Sequence, residues 1–274
     1  MRLMRTVITP QHGWGLPNFS ELWVFRELLL VFTMRDIKVR YKQTAIGVLW
    51  AIVQPFMATV VFTLVLGKLA KVPSNGLPYP VFVLTALLPW QLFAKGLTEG
   101  SLSLVTLGPI MSKIYFPRLI APLAAVLGGV VDFAISLAVL ALAMAWYGVV
   151  PGSAALLAPL FLLLALLSAF AASLWLSIVN AKYRDVQFAL PFLTQILLFL
   201  TPVLYPTSLV PDSWRIIYML NPMVSVIEGF RWSLLGGTGP HPMPVLVSTL
   251  ATVTLLAAGL IYFSHYEKSF VDRL

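Results

Sequence analysis

The 274-residue sequence contains no cysteine and few charged residues, and both shortages narrow the class of protein. Without cysteine there is no disulfide framework and no thiol-based metal or redox site. Charged residues make up 10% of the chain against 59% hydrophobic residues, which is too little charge to cover a soluble surface. A lipid bilayer is therefore the expected solvent.

The sequence also lacks the motifs of nucleotide hydrolases and zinc peptidases. It contains no G-x-x-x-x-G-K-[ST] phosphate loop and no H-E-x-x-H motif. Its three histidines, His12, His241 and His265, are scattered among tails and loops without a carboxylate at useful spacing. We therefore expect no catalytic site, no metal site and no cofactor on this chain, which cannot hydrolyse ATP by itself.

Long apolar runs recur along the chain and predict an all-α polytopic membrane protein. A run of about 18 or more nearly uncharged residues can cross about 30 Å of hydrocarbon as a helix. Such runs predict a six-span transmembrane domain over 45–263, with spans at 45–66, 79–107, 119–147, 154–179, 188–204 and 245–263. Pro55 predicts a kink in the first span, and the backbone groups that it frees need partners inside a helix bundle.

The distribution of Lys and Arg predicts the orientation of these spans. With both termini inside, thirteen of the 18 basic residues fall on the cytoplasmic side and four on the outer side. The net charge of +8 is then explained by attraction of the basic residues to the anionic inner leaflet and not by nucleic-acid binding. Residues 1–44 form a cytoplasmic arm and 264–274 a cytoplasmic tail.

The arm is expected to carry an amphipathic interface helix at 20–34. Ser20 is the predicted N-cap, and one stripe of the helix is apolar. That stripe consists of Leu22, Phe25, Leu29 and Phe32. The basic run 35–42 follows, at the level of the lipid headgroups.

Two further segments are too short to cross the membrane. Residues 108–118 are an amphipathic piece bracketed by prolines on the cytoplasmic side. Between the last two spans, Asn221-Pro222 predicts a helix start and Gly236-Gly237 a stop, so 223–235 is a short helix and 214–220 a second one. Together they suggest a re-entrant hairpin within 206–240 on the outer side, at a depth where irregular backbone hints at a pathway.

Ionisable residues inside the spans are the first candidates for function. Asp132 either lines a pathway or pairs with Lys95, and the pairing is the favoured interpretation. Lys95 with Glu99, and Glu228 with Arg231, have the spacing that lets each pair satisfy itself on one helix face.

Aromatic residues are the second candidates. Trp214 lies at a predicted span end, where anchoring at the interface is the default role. Trp50 and Trp90 lie deeper and offer stacking surfaces for sugar rings, although packing or contact with lipid is the commoner role.

The order and spacing of several short motifs carry a family resemblance that covers nearly the whole chain. They are Arg35-Asp36 through Arg40-Tyr41-Lys42-Gln43-Thr44 with Gly47, Trp50 and Pro55; Leu88-Pro89-Trp90; Tyr115-Phe116-Pro117-Arg118; Asn180 with Arg184-Asp185; and Asn221-Pro222 with Glu228, Arg231 and Gly236. Taken in this order, they resemble the membrane (permease) subunit of a type-2 ABC exporter that moves lipid-linked polysaccharide such as O antigen, capsule or teichoic acid.

The resemblance implies a homodimer around a channel in the bacterial inner membrane, above two copies of a separate ATPase that binds ATP and Mg²⁺. The interface helix would touch the ATPase, 108–118 would be a coupling helix, and 206–240 would hold outer gate helices. The residues implied in coupling are Phe25, Arg35, Asp36, Pro109, Lys113, Tyr115, Phe116, Pro117 and Arg118.

The resemblance also suggests residues that meet the substrate. Arg40 and Lys42, at headgroup depth, are hypothesised to receive the diphosphate of a polyprenyl carrier, because guanidinium and ammonium groups suit phosphate oxygens. The hypothesised channel or gate residues are Trp50, Trp90, Lys95, Glu99, Asp132, Trp214, Glu228 and Arg231. An ABC exporter of drugs or lipids is the alternative, and a secondary transporter or channel, for which matching halves are not evident, is more remote.

Overall fold

A computed structural model describes residues 17–42 and 47–266, and this part of the chain is helical and contains no strand. Ten α-helices follow one another in these ranges. They are α1 Phe19–Val24, α2 Arg26–Lys42, α3 Leu49–Phe62, α4 Tyr79–Met111, α5 Ile120–Trp146, α6 Ala158–Lys182, α7 Val186–Phe199, α8 Arg215–Met219, α9 Pro222–Leu235 and α10 Pro242–Tyr266. The π-helical segment Thr63–Leu69 extends α3, and the 3-10 helix Ser153–Leu157 precedes α6.

Five of these helical stretches are long and apolar enough to cross a membrane, judged by length and composition. They are Leu49–Leu69, Tyr79–Met111, Ile120–Trp146, Ser153–Lys182 and Pro242–Tyr266. They confirm a polytopic helical protein and five of the predicted spans. The fifth predicted span, 188–204, is shorter than expected, because α7 stops at Phe199, three residues before Pro202, whose ring disfavours helix in the residue before it.

The core of the bundle is built around α4, which packs against α5 and α6. Small residues four apart let α4 and α6 approach closely. A Cβ atom built on Gly96 would lie 3.0 Å from the Cβ of Ala169, and one on Gly100 would lie 2.6 Å from the Cβ of Ser173. This is the small-residue packing that membrane helices use in place of a hydrophobic driving force.

The bundle has two ends, an α2 end and an α9 end, each with its own buried cluster. At the α2 end, Phe32 and Phe116 are buried with Leu107 of α4 and Phe263 of α10. At the α9 end, Phe230 packs against residues of α4, α5 and α6. The predicted short helix 223–235 is therefore confirmed as α9, and Asn221 Oδ1 accepts a hydrogen bond from the Met223 amide at 3.0 Å as its N-cap.

The N-terminal region corrects two expectations. The N-cap is Asn18 and not Ser20, because Asn18 Oδ1 accepts a hydrogen bond from the Ser20 amide at 3.1 Å. The helix bends at Phe25 and then continues through Lys42, so the basic run 35–42 is helical. The apolar stripe itself is confirmed, since its side chains pack into the cluster at the α2 end.

The expected separate helix at 108–118 is also corrected. Helix α4 runs through Pro109 to Met111, and residues 112–119 form turns and an extended stretch that leads into α5. Pro117 explains this locally, because proline cannot donate a backbone hydrogen bond and biases the residue before it towards extended conformations. Residues 1–16, 43–46 and 267–274, on which parts of the arm, the motif, the predicted start of the first span and the tail fall, lie outside the described residues.

Candidate functional site

A cavity of about 680 Å³ lies between α3, α4 and α5, which is within the range of about 300–1,000 Å³ typical of ligand pockets. Trp50 and Trp90 line it, Trp50 half-exposed and Trp90 buried against Phe93 at a ring distance of 5.5 Å. The side-chain amides of Gln54 and Gln91 line it as well. The walls therefore combine aromatic faces with hydrogen-bonding groups.

The cavity exists because α3 stands away from the core. Pro55 has no amide hydrogen, so the carbonyl of Ala51, one helical turn earlier, lacks its usual donor. Ser136 of α5 donates to that carbonyl at 3.1 Å. The expectation that the proline frees a backbone group that finds a partner inside the bundle is thus confirmed, and the partner is a serine hydroxyl across the cavity.

An ion cluster closes one end of the cavity and joins α2, α4 and α5. Arg40 of α2 donates from Nη2 to both carboxylate oxygens of Glu99, at 2.7 and 2.9 Å, and from Nη1 to Asp132 Oδ2 at 2.5 Å. Lys95 and the hydroxyl of Tyr41 also donate to Asp132. The cluster therefore contains two cations and two carboxylates, and Asp132 lies at its centre.

The cluster decides between the interpretations of these residues. The pairing of Lys95 with Asp132 is confirmed. Lys95 lies 3.9 Å from Glu99, so this expected pair is present but weaker, since the main partner of Glu99 is Arg40. Charged pairs of this kind, partly out of water, need such complete partnering.

The hypothesised diphosphate site at Arg40 and Lys42 gains no support from this arrangement. Both guanidinium amino groups of Arg40 already bind carboxylates, so a phosphate would have to displace Glu99 or Asp132. Lys42 is exposed and lines an open groove on the outer face of α2 with Lys38, away from the cavity. The two cations therefore do not converge on one site.

The expected coupling residues gather at the α2 end. Tyr115 donates from its hydroxyl to Glu21 at 3.0 Å, and the rings of Phe32 and Phe116 meet edge to face at 5.2 Å. Phe25 packs into the same cluster. The segment 112–119 is thus attached to α1 and α2 as one unit.

Only part of this unit is accessible to another protein. Phe116 and Pro117 are buried, whereas Lys113, Ile114 and Tyr115 form an exposed tip. Pro109 is exposed beside it. Sequence reasoning missed Ile114, an exposed apolar side chain beside the predicted motif.

Arg35, Asp36 and Arg118 contribute to this end in different ways. Arg35 pairs with Asp36 at 2.6 Å and lies over the ring of Phe32 at 5.2 Å, so both are half-buried under the unit. Arg118 is half-buried where the segment enters α5.

Arg231 organises the α9 end. It is 7% exposed, its guanidinium lies 3.7 Å from the ring centroid of Phe82, and Nη2 donates to the carbonyls of Pro202 at 3.0 Å and Val203 at 3.3 Å. Tyr79 donates to the next carbonyl, that of Leu204, at 2.8 Å. In the non-helical corner 200–206, the carbonyls of Pro202, Val203 and Leu204 are therefore satisfied by side chains.

The remaining predicted gate residues lie nearby but do not converge. Glu228 is 3.9 Å from Arg231, so this expected pair is a weak one. Trp214 is 61% exposed and lies apart from the cavity. Among residues 17–42 and 47–266 there is no group of three His, Asp or Glu side chains that could hold a metal ion.

Several cavity residues escaped the sequence analysis. Gln54 and Gln91 carried a usable signal, because amides are rare inside apolar runs. Tyr41 stood in a motif without a role of its own, and Ser136 carried no signal, since only the packing shows what the two side chains contact.

Apolar helices long enough to cross a membrane, packed around a cavity whose wall carries some polar side chains, define a polytopic membrane protein. The chain belongs to the ABC-2 type transporter family, whose model matches residues 27–235. Membership in this family implies a transport subunit of the bacterial inner membrane that has an ATPase partner.

Named relatives match along most of the chain. The O-antigen export system permease protein RfbA of Klebsiella pneumoniae is 27% identical over 249 residues, which cover 90% of this chain and 95% of that protein. RfbA of Myxococcus xanthus is 27% identical over 256 residues, covering 93% and 98%. The polysialic acid transport protein KpsM of Escherichia coli is 23% identical over 245 residues, covering 86% and 92%.

Proposed function

We propose that this chain is the transmembrane subunit of an ATP-driven exporter that moves a lipid-linked polysaccharide across the cytoplasmic membrane. The observation that carries the proposal is the nearly end-to-end likeness to permeases named for the export of O antigen and polysialic acid. By this proposal no catalytic site, metal or cofactor resides on this chain, and the partner ATPase binds ATP and Mg²⁺.

The chemistry of the cavity supports this substrate class. A glycan cannot enter hydrocarbon because its hydroxyls would lose their hydrogen-bond partners, so it needs polar and aromatic walls along its path. The cavity between the spanning helices has such walls, formed in part by Trp50, Trp90, Gln54 and Gln91. A drug or simple lipid would not need the two amides.

A second copy of the chain would complete the channel. Helices α3 and α7 both line the cavity, and both present large apolar side chains outward. Only 11% of the α3 span is buried, against 78% of the α4 span. We therefore propose a homodimer in which the two cavities face a shared path.

Six crossings and inward termini form part of the proposal. Helix α7 is about 21 Å long at 1.5 Å per residue, so the corner 200–206 would supply the rest of a crossing of about 30 Å. Irregular backbone at that depth requires internal partners, which Arg231 and Tyr79 provide.

The basic residues support the inward orientation of the α2 end. That end carries Arg26, Arg35, Lys38, Arg40, Lys42, Lys113, Arg118, Lys182 and Arg184. The α9 end carries Lys68, Lys71, Arg215 and Arg231. By the rule that cytoplasmic loops are rich in Lys and Arg, the α2 end faces the cytoplasm and α8 and α9 lie at the outer side as gate helices.

The partner ATPase would bind the exposed tip of residues 113–115 beside α1. Because this tip is hydrogen-bonded to α1 and packed on α2, a movement imposed on it would reach α2 and the ion cluster at Arg40. Rigid elements joined in this way transmit a closure of the ATPase to the membrane helices.

The test compares two isoleucines of similar exposure at opposite ends of the bundle, Ile114 at 54% and Ile217 at 61%. The chain is reconstituted with its partner ATPase, and ATP hydrolysis is measured with and without a lipid-linked glycan. Wild type and I217D should be stimulated, whereas I114D should lose stimulation by about tenfold, because a charge in a desolvated contact costs more than 1.4 kcal/mol.

Other outcomes would contradict particular parts of the proposal. Full stimulation of I114D would show that the tip does not couple to the ATPase. Wild-type stimulation by small amphiphiles and not by the glycan would identify an exporter of drugs or lipids. Failure to form a complex with the ATPase would contradict the proposal as a whole.

A further inference from the structure

The charges that line the cavity are fully balanced. Arg40 and Lys95 are the cations of its described lining, and each binds a carboxylate, Arg40 to Glu99 and Asp132, Lys95 to Asp132. Their side chains are 23% and 27% exposed, so the pairs themselves face the cavity. A ligand therefore meets a neutral wall.

The rest of the lining is made of groups that recognise uncharged hydroxyls. The amides of Gln54 and Gln91 make no hydrogen bond to any residue of the described ranges, so both their donors and acceptors are available. Trp50 and Trp90 add aromatic faces, against which the C–H faces of a sugar ring can pack. Hydroxyls with amides, and ring faces with indoles, are the contacts of a neutral sugar.

An acidic sugar would be disfavoured in the same cavity. Its carboxylate would lose water and find each lining cation already held by a protein carboxylate. To pair with Arg40 it would have to displace Glu99 or Asp132, which would leave that group partly buried without its partner. A neutral sugar needs neither exchange.

We propose that this cavity selects neutral sugar units, so that the exported polysaccharide is uncharged along its repeating chain. Gln54 and Gln91 act as specificity-determining residues by hydrogen bonding to sugar hydroxyls, and the Arg40 cluster acts by offering no free cation. This inference rests on the proposed export function and adds the charge class of the substrate to it.

The test uses the wild-type chain with its partner ATPase in proteoliposomes. Two glycans of equal length on the same polyprenyl diphosphate carrier are compared, one built of hexoses and one with a hexuronic acid in every repeat. Because an unpaired carboxylate in the cavity is penalised, the neutral glycan should reach half-maximal stimulation of ATP hydrolysis at about tenfold lower concentration.

Added cations should shift this preference if the cavity is where selection occurs. Q54K and Q91K each place an ammonium on the wall, and each should reduce the tenfold difference to about threefold or less. Q187K adds the same charge to an exposed position of α7 outside the cavity lining and should leave the difference unchanged. Recovery of each variant in complex with the ATPase verifies that it folds.

The outcomes separate the inference from the proposed function. Equal or stronger stimulation by the acidic glycan overturns the neutral-sugar inference and leaves the export function standing. A preference that neither Q54K nor Q91K alters overturns the assignment to this cavity. If neither glycan stimulates an intact complex, or if the carrier without glycan stimulates as strongly, the export function fails and the inference fails with it.

Discussion

Helices α3 and α4 are neighbours with opposite degrees of burial, and hydropathy does not explain the difference. The α3 span has the higher mean hydropathy, 2.0 against 1.4, yet 11% of it is buried against 78% of α4. Lipid tails are as apolar as a leucine side chain, so a helix gains no hydrophobic free energy by exchanging contact with lipid for contact with another helix. Small residues at the right spacing do, and Gly96 and Gly100 supply them on α4.

The consequence is a bundle with a fixed part and a loosely attached part. Helices α4, α5, α6 and α9 form the fixed part, joined by close packing and by Arg231 of α9, which lies over the ring of Phe82 of α4. Helices α3 and α7 flank the cavity with few contacts to the rest. A transport subunit needs this division, because a pathway can widen only where helices are free to move.

The largest effect is expected at Asp132, where the fixed part holds the end of α2 beside α3. D132N leaves Arg40 and Lys95 with one carboxylate between them. We expect the free energy of unfolding to fall by about 2–3 kcal/mol, a value that allows for the partial exposure of the pairs. For a chain of this size that corresponds to a fall of about 4–10 °C in the melting temperature of the purified protein.

Charge balance supplies the control for that prediction. D132N/K95M removes one cation with the carboxylate and should recover at least half of the lost stability, because the two positions are in contact and their effects do not add. A double variant as unstable as the sum of the two single variants would show that size and not charge balance matters at Asp132.

A somewhat smaller effect is expected where the fixed part holds the end of α7. R231M removes the donor to the carbonyls of Pro202 and Val203, and we expect the free energy of unfolding to fall by about 2 kcal/mol. R231K keeps a cation over Phe82 and one donor, so its stability should lie between that of wild type and that of R231M. Hydrogen exchange should accelerate over the corner 200–206 and α7, and unchanged exchange there would contradict the anchoring role.

The seam between α4 and α6 should respond to a single methyl group. G100A places a Cβ atom 2.6 Å from that of Ser173, and overpacking of this kind costs about 1–2 kcal/mol. Gly128 of α5 is the matched control, because a Cβ atom there meets no atom within 4 Å. G128A should be neutral or slightly stabilising, and equal melting temperatures for the two variants would contradict the tight seam.

Much of this architecture was predictable from the sequence because its causes are local. Apolar runs gave five spans within a few residues, and Asn221-Pro222 with Gly236 gave α9, whose caps are set by the residues themselves. The end of α7 was missed because a run of apolar residues continues past Phe199, while Pro202 ends the helix. The separate helix expected at 108–118 followed from the family resemblance, whereas the observed turns and extended stretch at 112–119 follow from the local effect of Pro117.

The site was less predictable because its pairs join residues far apart in the sequence. The pairing of Lys95 with Asp132 followed from the scarcity of charge inside the spans. The pairing of Arg40 with Glu99 and Asp132 did not follow, because no local spacing relates α2 to α4 and α5. Tyr41 and Ser136 became site residues only through packing across the cavity.

The smallest effect is expected at the one hydroxyl that bridges the cavity to α3 among the described residues. S136A removes the donor to the Ala51 carbonyl and should cost about 1 kcal/mol or less, since water in the open cavity can replace it. Amide exchange in α3 should rise while α4 stays protected. S177A is the control, because Ser177 is buried but donates within its own helix to Leu174.

Pro55 makes this last prediction decisive. In P55A the amide of residue 55 can donate to the Ala51 carbonyl, so that carbonyl no longer needs the serine. S136A should then have no further effect on exchange in α3. An equal effect of S136A in both backgrounds would mean that Ser136 stabilises α3 by packing, and that the mobility of α3 does not depend on the carbonyl that its proline frees.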